Sequence, residues 1–297
     1  MVEFSVVVAT QGTGGQLRQC LAALARQTLV RQMEILIVDG TGRPHSERWI
    51  EDFPMVRVLR PPAPHNVPAL WSEGIRAAQG SVVALTIENC IPAPDWAKNM
   101  LAAQNSTESA AVGGAIEMDP AGSLNDWAIY FCRYSAYMLP FQARVLHDLP
   151  GDNCSYKSRA LREVQSLAMD GFWETFIHED MRARGEQLLS VPSPVVVYAG
   201  GISARQFFWR RFAHAKHFAS RRGENMPSMR RWLRAAAFPA VAAMLFFRIG
   251  ARVWRNGRHR AKFVSVLPWV FPFLLAWASG EAAGYLDPAA ARRPPTN

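Results

Sequence analysis

A chain of 297 residues, 49% hydrophobic and 19% charged, can bury a sizeable core and argues against global disorder. Its four cysteines (Cys20, Cys90, Cys132 and Cys154) lack CxxC spacing, which speaks against a disulfide framework and for reduced thiols in a cytosolic setting. The net charge of +9 is uneven: residues 1–204 hold 16 Lys/Arg against 21 Asp/Glu, residues 205–262 hold 15 against the single acid Glu224, and the remainder is neutral.

Met1 to Thr10 runs straight into a strand-like stretch, with no signal peptide, so the N-terminal part is expected in the cytosol. FSVVVAT at 4–10 is a continuous β-branched run, the pattern of a strand buried on both faces. A glycine-rich turn (Gly12, Gly14, Gly15) follows, then Leu17, Leu21 and Leu24 at helical spacing. EILIVD at 34–39 predicts a second strand and Val56–Leu59 a third. Val67–Ala78 predicts a helix ended by Gly80, and SVVALTI at 81–87 a fourth strand leading into Glu88-Asn89-Cys90. Ala111–Met118 and Gln187–Tyr198 are further strand candidates, and Phe172–Arg184 reads as a helix. Strands alternating with helices predict an α/β fold with a mostly parallel sheet. Ligands bind such sheets beyond the carboxyl ends of the strands, where Asp39 and Glu88 stand.

Residues 205–234 read as a basic, amphipathic helical linker, 235–286 as apolar membrane-associated or transmembrane helices, and 287–297 as a disordered end. The stretch 235–247 is interrupted by Pro239, and 263–279 is longer, with Trp269, Trp277 and Tyr285 as interfacial anchors. Two spans would leave the connector 248–262, with six basic residues and no acid, against the positive-inside bias. Interfacial or re-entrant helices are therefore expected, the connector resting on anionic headgroups. A two-span hairpin is the alternative.

Asp39 can accept from a nucleotide base or ribose, or can be an ordinary turn aspartate before Gly40. Glu88 can hold a divalent cation that neutralises a diphosphate, with Cys90 a softer ligand beside it, or the pair can be a loop acid and a buried thiol. In His178-Glu179-Asp180 a carboxylate can act as general base, or the acids can form a solvated helix face. Arg205 to Arg222 mixes cations with aromatics, and the apolar stretches beyond it favour a membrane over nucleic acid. HExxH, GxSxG, Walker A and GxGxxG are all absent.

In order and spacing, FSVVVAT, EILIVDG, the 66–86 stretch, Glu88-Asn89-Cys90 with Pro94-Asp95-Trp96, Gly151-Asp152-Asn153 with Ser158 to Leu161, and Glu179-Asp180 resemble a family 2 glycosyltransferase of the GT-A fold. The resemblance spans residues 2–200. It implies a GT-A nucleotide-sugar-binding domain over 1–204, with Thr10, Asp39 and Glu88 at the donor; beyond it, Arg210 and Arg211 are expected to reach the donor and neutralise its diphosphate. It implies Gly151, Asp152, Asn153 and Glu179 on the acceptor-side loop, and Asp180 as catalytic base. Glu88 and Cys90 occupy the flanks of the family's metal-binding DxD, so a Mg²⁺ or Mn²⁺ cofactor stays open. Two departures stand out: Asp39-Gly40 replaces a double aspartate, and Glu88-Asn89-Cys90 replaces DxD. The function implied is inverting sugar transfer from a nucleotide-diphosphate sugar to a lipid-linked or membrane-proximal glycan. The setting implied is cell-envelope polysaccharide synthesis at the cytoplasmic face of the inner membrane, with anionic lipids as partners and no nucleic acid. A non-catalytic nucleotide-sugar-binding membrane scaffold is the competing reading.

Overall fold

The computed structural model describes residues 2–12, 15–42, 52–62, 66–169 and 171–289. Gly14 of the predicted turn, and residues 290–297 of the predicted disordered end, lie outside them. The chain divides into two compact units, residues 1–117 with 137–199, and residues 118–136 with 200–297. The sequence-based boundary after 204 thus misses the excursion of 118–136 into the second unit.

In the first unit the apolar runs form β1 (Phe4–Thr10), β2 (Met33–Asp39), β3 (Val56–Leu59) and β4 (Val82–Ile87), parallel and ordered β3-β2-β1-β4. Helices α1 (Gly15–Ala25) and α2 (Val67–Ala77) connect them. Asn66 caps α2 by accepting from the Ala69 amide at 3.0 Å, and Pro68 sits in its first turn, where a missing amide proton costs nothing. α2 buries Leu70 and Trp71.

Beyond β4 come β5 (Cys90–Pro92), α3 (Trp96–Asn105), β6 (Ala111–Met118), β7 (Arg144–Val145), β8 (Asn153–Lys157), α5 (Ser158–Glu163), α6 (Glu174–Ala183) and β9 (Leu188–Tyr198), with α4 (Leu124–Tyr134) of the second unit between β6 and β7. Among the described residues the sheet continues β4-β8-β6-β9-β5, with β7 on β9. The pairs β4/β8, β8/β6, β9/β5 and β9/β7 are antiparallel. The sheet is therefore mixed, and not mostly parallel as expected. The deciding strand, β8, has the short sequence NCSYK, which carries none of the β-branched signal of β1.

The second unit is helical: α4, α7 (Ala204–Gly223), α8 (Ser228–Ala236), α9 (Phe238–Asn256), α10 (Arg260–Ser265) and α11 (Leu267–Leu286). Ser123 with Asp126, and Ser203 with Gln206, form capping boxes that start α4 and α7. α7 is not a linker; it packs along α11 on a seam of small residues. A Cβ on Gly280 would lie 2.4 Å from the Phe212 carbonyl, and one on Gly284 2.2 Å from that of Lys216. Ala215 and Ala219 fill the α7 side, and Ser220 donates to the Asp287 carbonyl at 2.9 Å. Asp287, placed by the sequence in a disordered end, is thereby tied down.

The apolar character of 263–286 has a packing cause: Val270, Phe273, Leu274, Ala276, Ala278 and Tyr285 are buried in this unit. Tyr285, expected as an interfacial anchor, accepts from Arg234 at 3.0 Å. Among the described residues no single helix is long and apolar enough to cross a membrane; α8 and α9, bent by 57° between them, pass that test only as a pair. Pro239 lies in the first turn of α9, at the bend.

Candidate functional site

Parallel register brings the predicted strand-end residues together. Thr10 pairs with Asp39 across β1 and β2, and Ala9 pairs with Ile87 across β1 and β4, which sets Glu88 one residue beyond that edge. All three side chains are buried. Asp39 accepts from the Thr41 amide at 2.9 Å and faces Arg60 Nε at 3.8 Å. Glu88 accepts from the Thr10 hydroxyl at 2.6 Å and the Gln11 amide at 3.1 Å.

The predicted acceptor-side loop follows. Gly151 is fixed by sterics: a Cβ there would stand 2.6 Å from the Trp71 ring and 2.7 Å from Glu174 Oε1. Trp71 donates to the Thr86 carbonyl at 3.0 Å, and the Thr86 hydroxyl donates to the Asp152 carbonyl at 3.0 Å. Asn153, expected beside the ligands, is a fully buried tie between strands. It accepts from the Trp96 indole at 2.7 Å and donates to the carbonyls of Ala115 at 2.8 Å and Pro194 at 3.0 Å. With its amide satisfied inside the sheet, its role is to hold β8, β6 and β9 in place.

Helix α6 carries the predicted base. Asp180 is partly buried and accepts from Arg184 Nε at 2.6 Å, one turn along the helix, while Glu179 is exposed. The acid of α6 that faces Gly151 is Glu174, which sequence reasoning missed. Its signal was available: an acid in the first helical turn, four residues before His178 and so on the same face. His178 is fully buried, with Nδ1 against the Asp148 carboxylate and Nε2 2.8 Å from the Tyr156 hydroxyl. Burial, first, and the nearby Cys154, Glu174 and Asp148 hold the Tyr156 hydroxyl protonated well beyond its ordinary range.

Arg210 and Arg211 lie on α7 in the helical unit. Arg210 is exposed, whereas the Arg211 guanidinium stands 4.2 Å over the Trp277 ring. Burial above all lowers the Arg211 pKa to about 10.

The cation left open by the sequence meets an unsuitable donor set. Both Glu88 oxygens already accept hydrogen bonds, and Cys90, fully buried in β5, offers a soft sulfur poorly matched to Mg²⁺. Among the described residues no group of three or more His, Cys, Asp or Glu could hold a metal ion. Glu88 and Cys90 therefore do not fit the role of metal ligands.

The sequence model for glycosyl transferase family 2 matches residues 5–165, more than half of the chain. The chain belongs to glycosyl transferase family 2. This family 2 chain is also similar to the uncharacterized protein y4gI of Sinorhizobium fredii, 26% identical over 118 residues. That match takes in 38% of the chain but only 13% of the relative's length. Among solved structures it is similar to the mannosyltransferase PcManGT from Pyrobaculum calidifontis, solved in complex with GDP-Man and Mn²⁺. There the TM-score is 0.54 at 17% identity, covering 98% of this chain and 76% of that one. A second likeness is to GalNAc-T7 with UDP, GalNAc and Mn²⁺, TM-score 0.52 at 16% identity, covering 66% and 43% of the two chains. At such identities the likeness is one of fold, and it sets the glycosyltransferase unit in the GT-A type.

Proposed function

We propose that this family 2 glycosyltransferase is an inverting enzyme that moves a sugar from a nucleoside-diphosphate sugar to a glycan acceptor at a membrane surface. The observation that carries this reading is the convergence of Thr10, Asp39 and Glu88 at the carboxyl ends of β1, β2 and β4. Strand ends of this kind are where open α/β sheets take their ligands. In the reaction Asp180 removes the proton of an acceptor hydroxyl. The oxygen attacks the anomeric carbon in line, the bond from that carbon to the diphosphate breaks, and the nucleoside diphosphate leaves with inversion. On sequence grounds alone, Arg210 is assigned to the diphosphate, where a cation offsets developing charge.

A second reading gives the base role to Glu174, favoured by its position against Gly151 and by the pairing of Asp180 with Arg184.

The acceptor is proposed to be a lipid-linked or membrane-proximal glycan of the cell envelope, met at the cytoplasmic face of the inner membrane. Supporting this are Met229, Trp232 and Leu233, exposed by 72%, 64% and 65% on a helix that also carries Arg230, Arg231 and Arg234. Exposed apolar side chains interleaved with arginines suit the interface of an anionic bilayer.

Calorimetric titration of the full chain with UDP, GDP, CDP, ADP and dTDP tests the donor reading. Saturable binding of one of them is expected; failure of all five to bind folded protein would overturn it.

A further inference from the structure

We infer that Glu88 is a positioning residue that clamps the turn after β1, and that the chain takes its nucleoside diphosphate without a divalent cation held by Glu88 and Cys90. The inference rests on reading the strand-end crevice as the nucleotide pocket. Glu88 reaches back across the sheet edge to three successive residues. Thr10 donates its hydroxyl to Oε2 at 2.6 Å, and the Gln11 amide donates to Oε1 at 3.1 Å. Gly12 closes over the same carboxylate, since a Cβ there would stand 2.6 Å from Oε1 and 2.9 Å from Cδ and Oε2. The Glu88 amide donates in turn to the Ala9 carbonyl at 3.2 Å. Backbone and side chain of one residue therefore fix Ala9 through Gly12, the segment a strand-end ligand must approach.

These contacts leave a cation badly placed. Two protons already point at the carboxylate, glycine backbone covers it, and Glu88 is only 7% exposed. A hard cation requires several oxygen ligands in open geometry. The next candidate, Cys90, is locked in β5 opposite Tyr198, and its carbonyl accepts from the Cys20 thiol at 3.6 Å.

The test is titration of wild type, Thr10→Val, Glu88→Gln, their double variant and Cys90→Ser with the same five diphosphates, in EDTA and in Mn²⁺. Hydrogen exchange of the peptide holding residues 9–12 is followed in parallel. Wild-type affinity is expected to agree within about twofold between EDTA and Mn²⁺. Thr10→Val and Glu88→Gln each weaken binding about tenfold and speed exchange at the turn, and the double variant does little worse than either, as for groups acting as one unit. Cys90→Ser leaves affinity unchanged. An Mn²⁺ gain of about tenfold or more that disappears in Glu88→Gln or Cys90→Ser but survives in Thr10→Val would overturn the inference and leave the donor reading intact. Absence of binding in both conditions would overturn both.

Discussion

The Tyr156 hydroxyl stands 2.8 Å from Nε2 of His178, and both side chains are fully buried. With Asp148 on the other ring nitrogen, this contact joins β8 to α6, the helix bearing Glu174 and Asp180. Tyr156→Phe removes one partner and leaves a ring nitrogen of His178 without it in a buried site, which costs about 1–3 kcal/mol. Urea unfolding is expected to show that loss. An unchanged midpoint would mean the contact does not hold α6.

Gly151→Ala tests the loop against α6. Its added methyl meets the rim of a buried indole and the Glu174 carboxylate, and Trp71 is anchored by its own hydrogen bond to the Thr86 carbonyl. Overpacking of this kind costs roughly 1–3 kcal/mol. A lower melting temperature and weaker sugar transfer are expected together; a variant matching wild type in both would refute the tight packing.

Much of this was legible in the sequence. β1, β2 and β4 sit within a residue of their predicted bounds because their apolar runs are long, β-branched and punctuated by glycine, and β3, only VRVL, is delimited by the prolines beside it. β8 escaped notice because a strand between two others can be built from NCSYK when cross-strand partners supply the order. Asn153 enters the set of site residues through the family resemblance alone, and its partners Trp96, Ala115 and Pro194 lie 38 to 57 positions away in the chain. The ties of His178 to Tyr156 and Asp148 join residues 22 and 30 positions apart, which no local pattern encodes. The role of α11 was also hidden: an apolar helix packed on its neighbour and one lying against lipid have similar compositions.

Burial first, then the charges of Arg211, Arg133 and His217, push the His214 pKa from 6.5 down to about 3. Between those values the unfolded chain binds a proton that the folded state does not, so stability falls as pH drops through that window and is flat above it. His214→Gln removes the difference. Unfolding followed from pH 7 to pH 4 is expected to show a shallower acid loss in the variant; identical slopes would contradict the assignment.

The face of α8 carries the membrane proposal. Co-sedimentation with vesicles containing anionic phosphatidylglycerol is expected to exceed that with neutral vesicles and to fall as salt rises. Trp232→Glu with Leu233→Glu should abolish it, since each places charge where apolar surface would enter the interface. Undiminished binding by the double variant would move the contact elsewhere.

Release of nucleoside diphosphate from a panel of nucleotide sugars, with membrane lipid extract as acceptor, tests sugar transfer most directly. Wild type is expected to turn over one donor, with Asp180→Asn reducing kcat by about 10²–10⁴-fold at unchanged donor affinity, the scale of a lost general base. A comparable loss in Glu174→Gln with Asp180→Asn active would transfer the base role to Glu174. No release from any donor by folded wild-type protein would contradict the account.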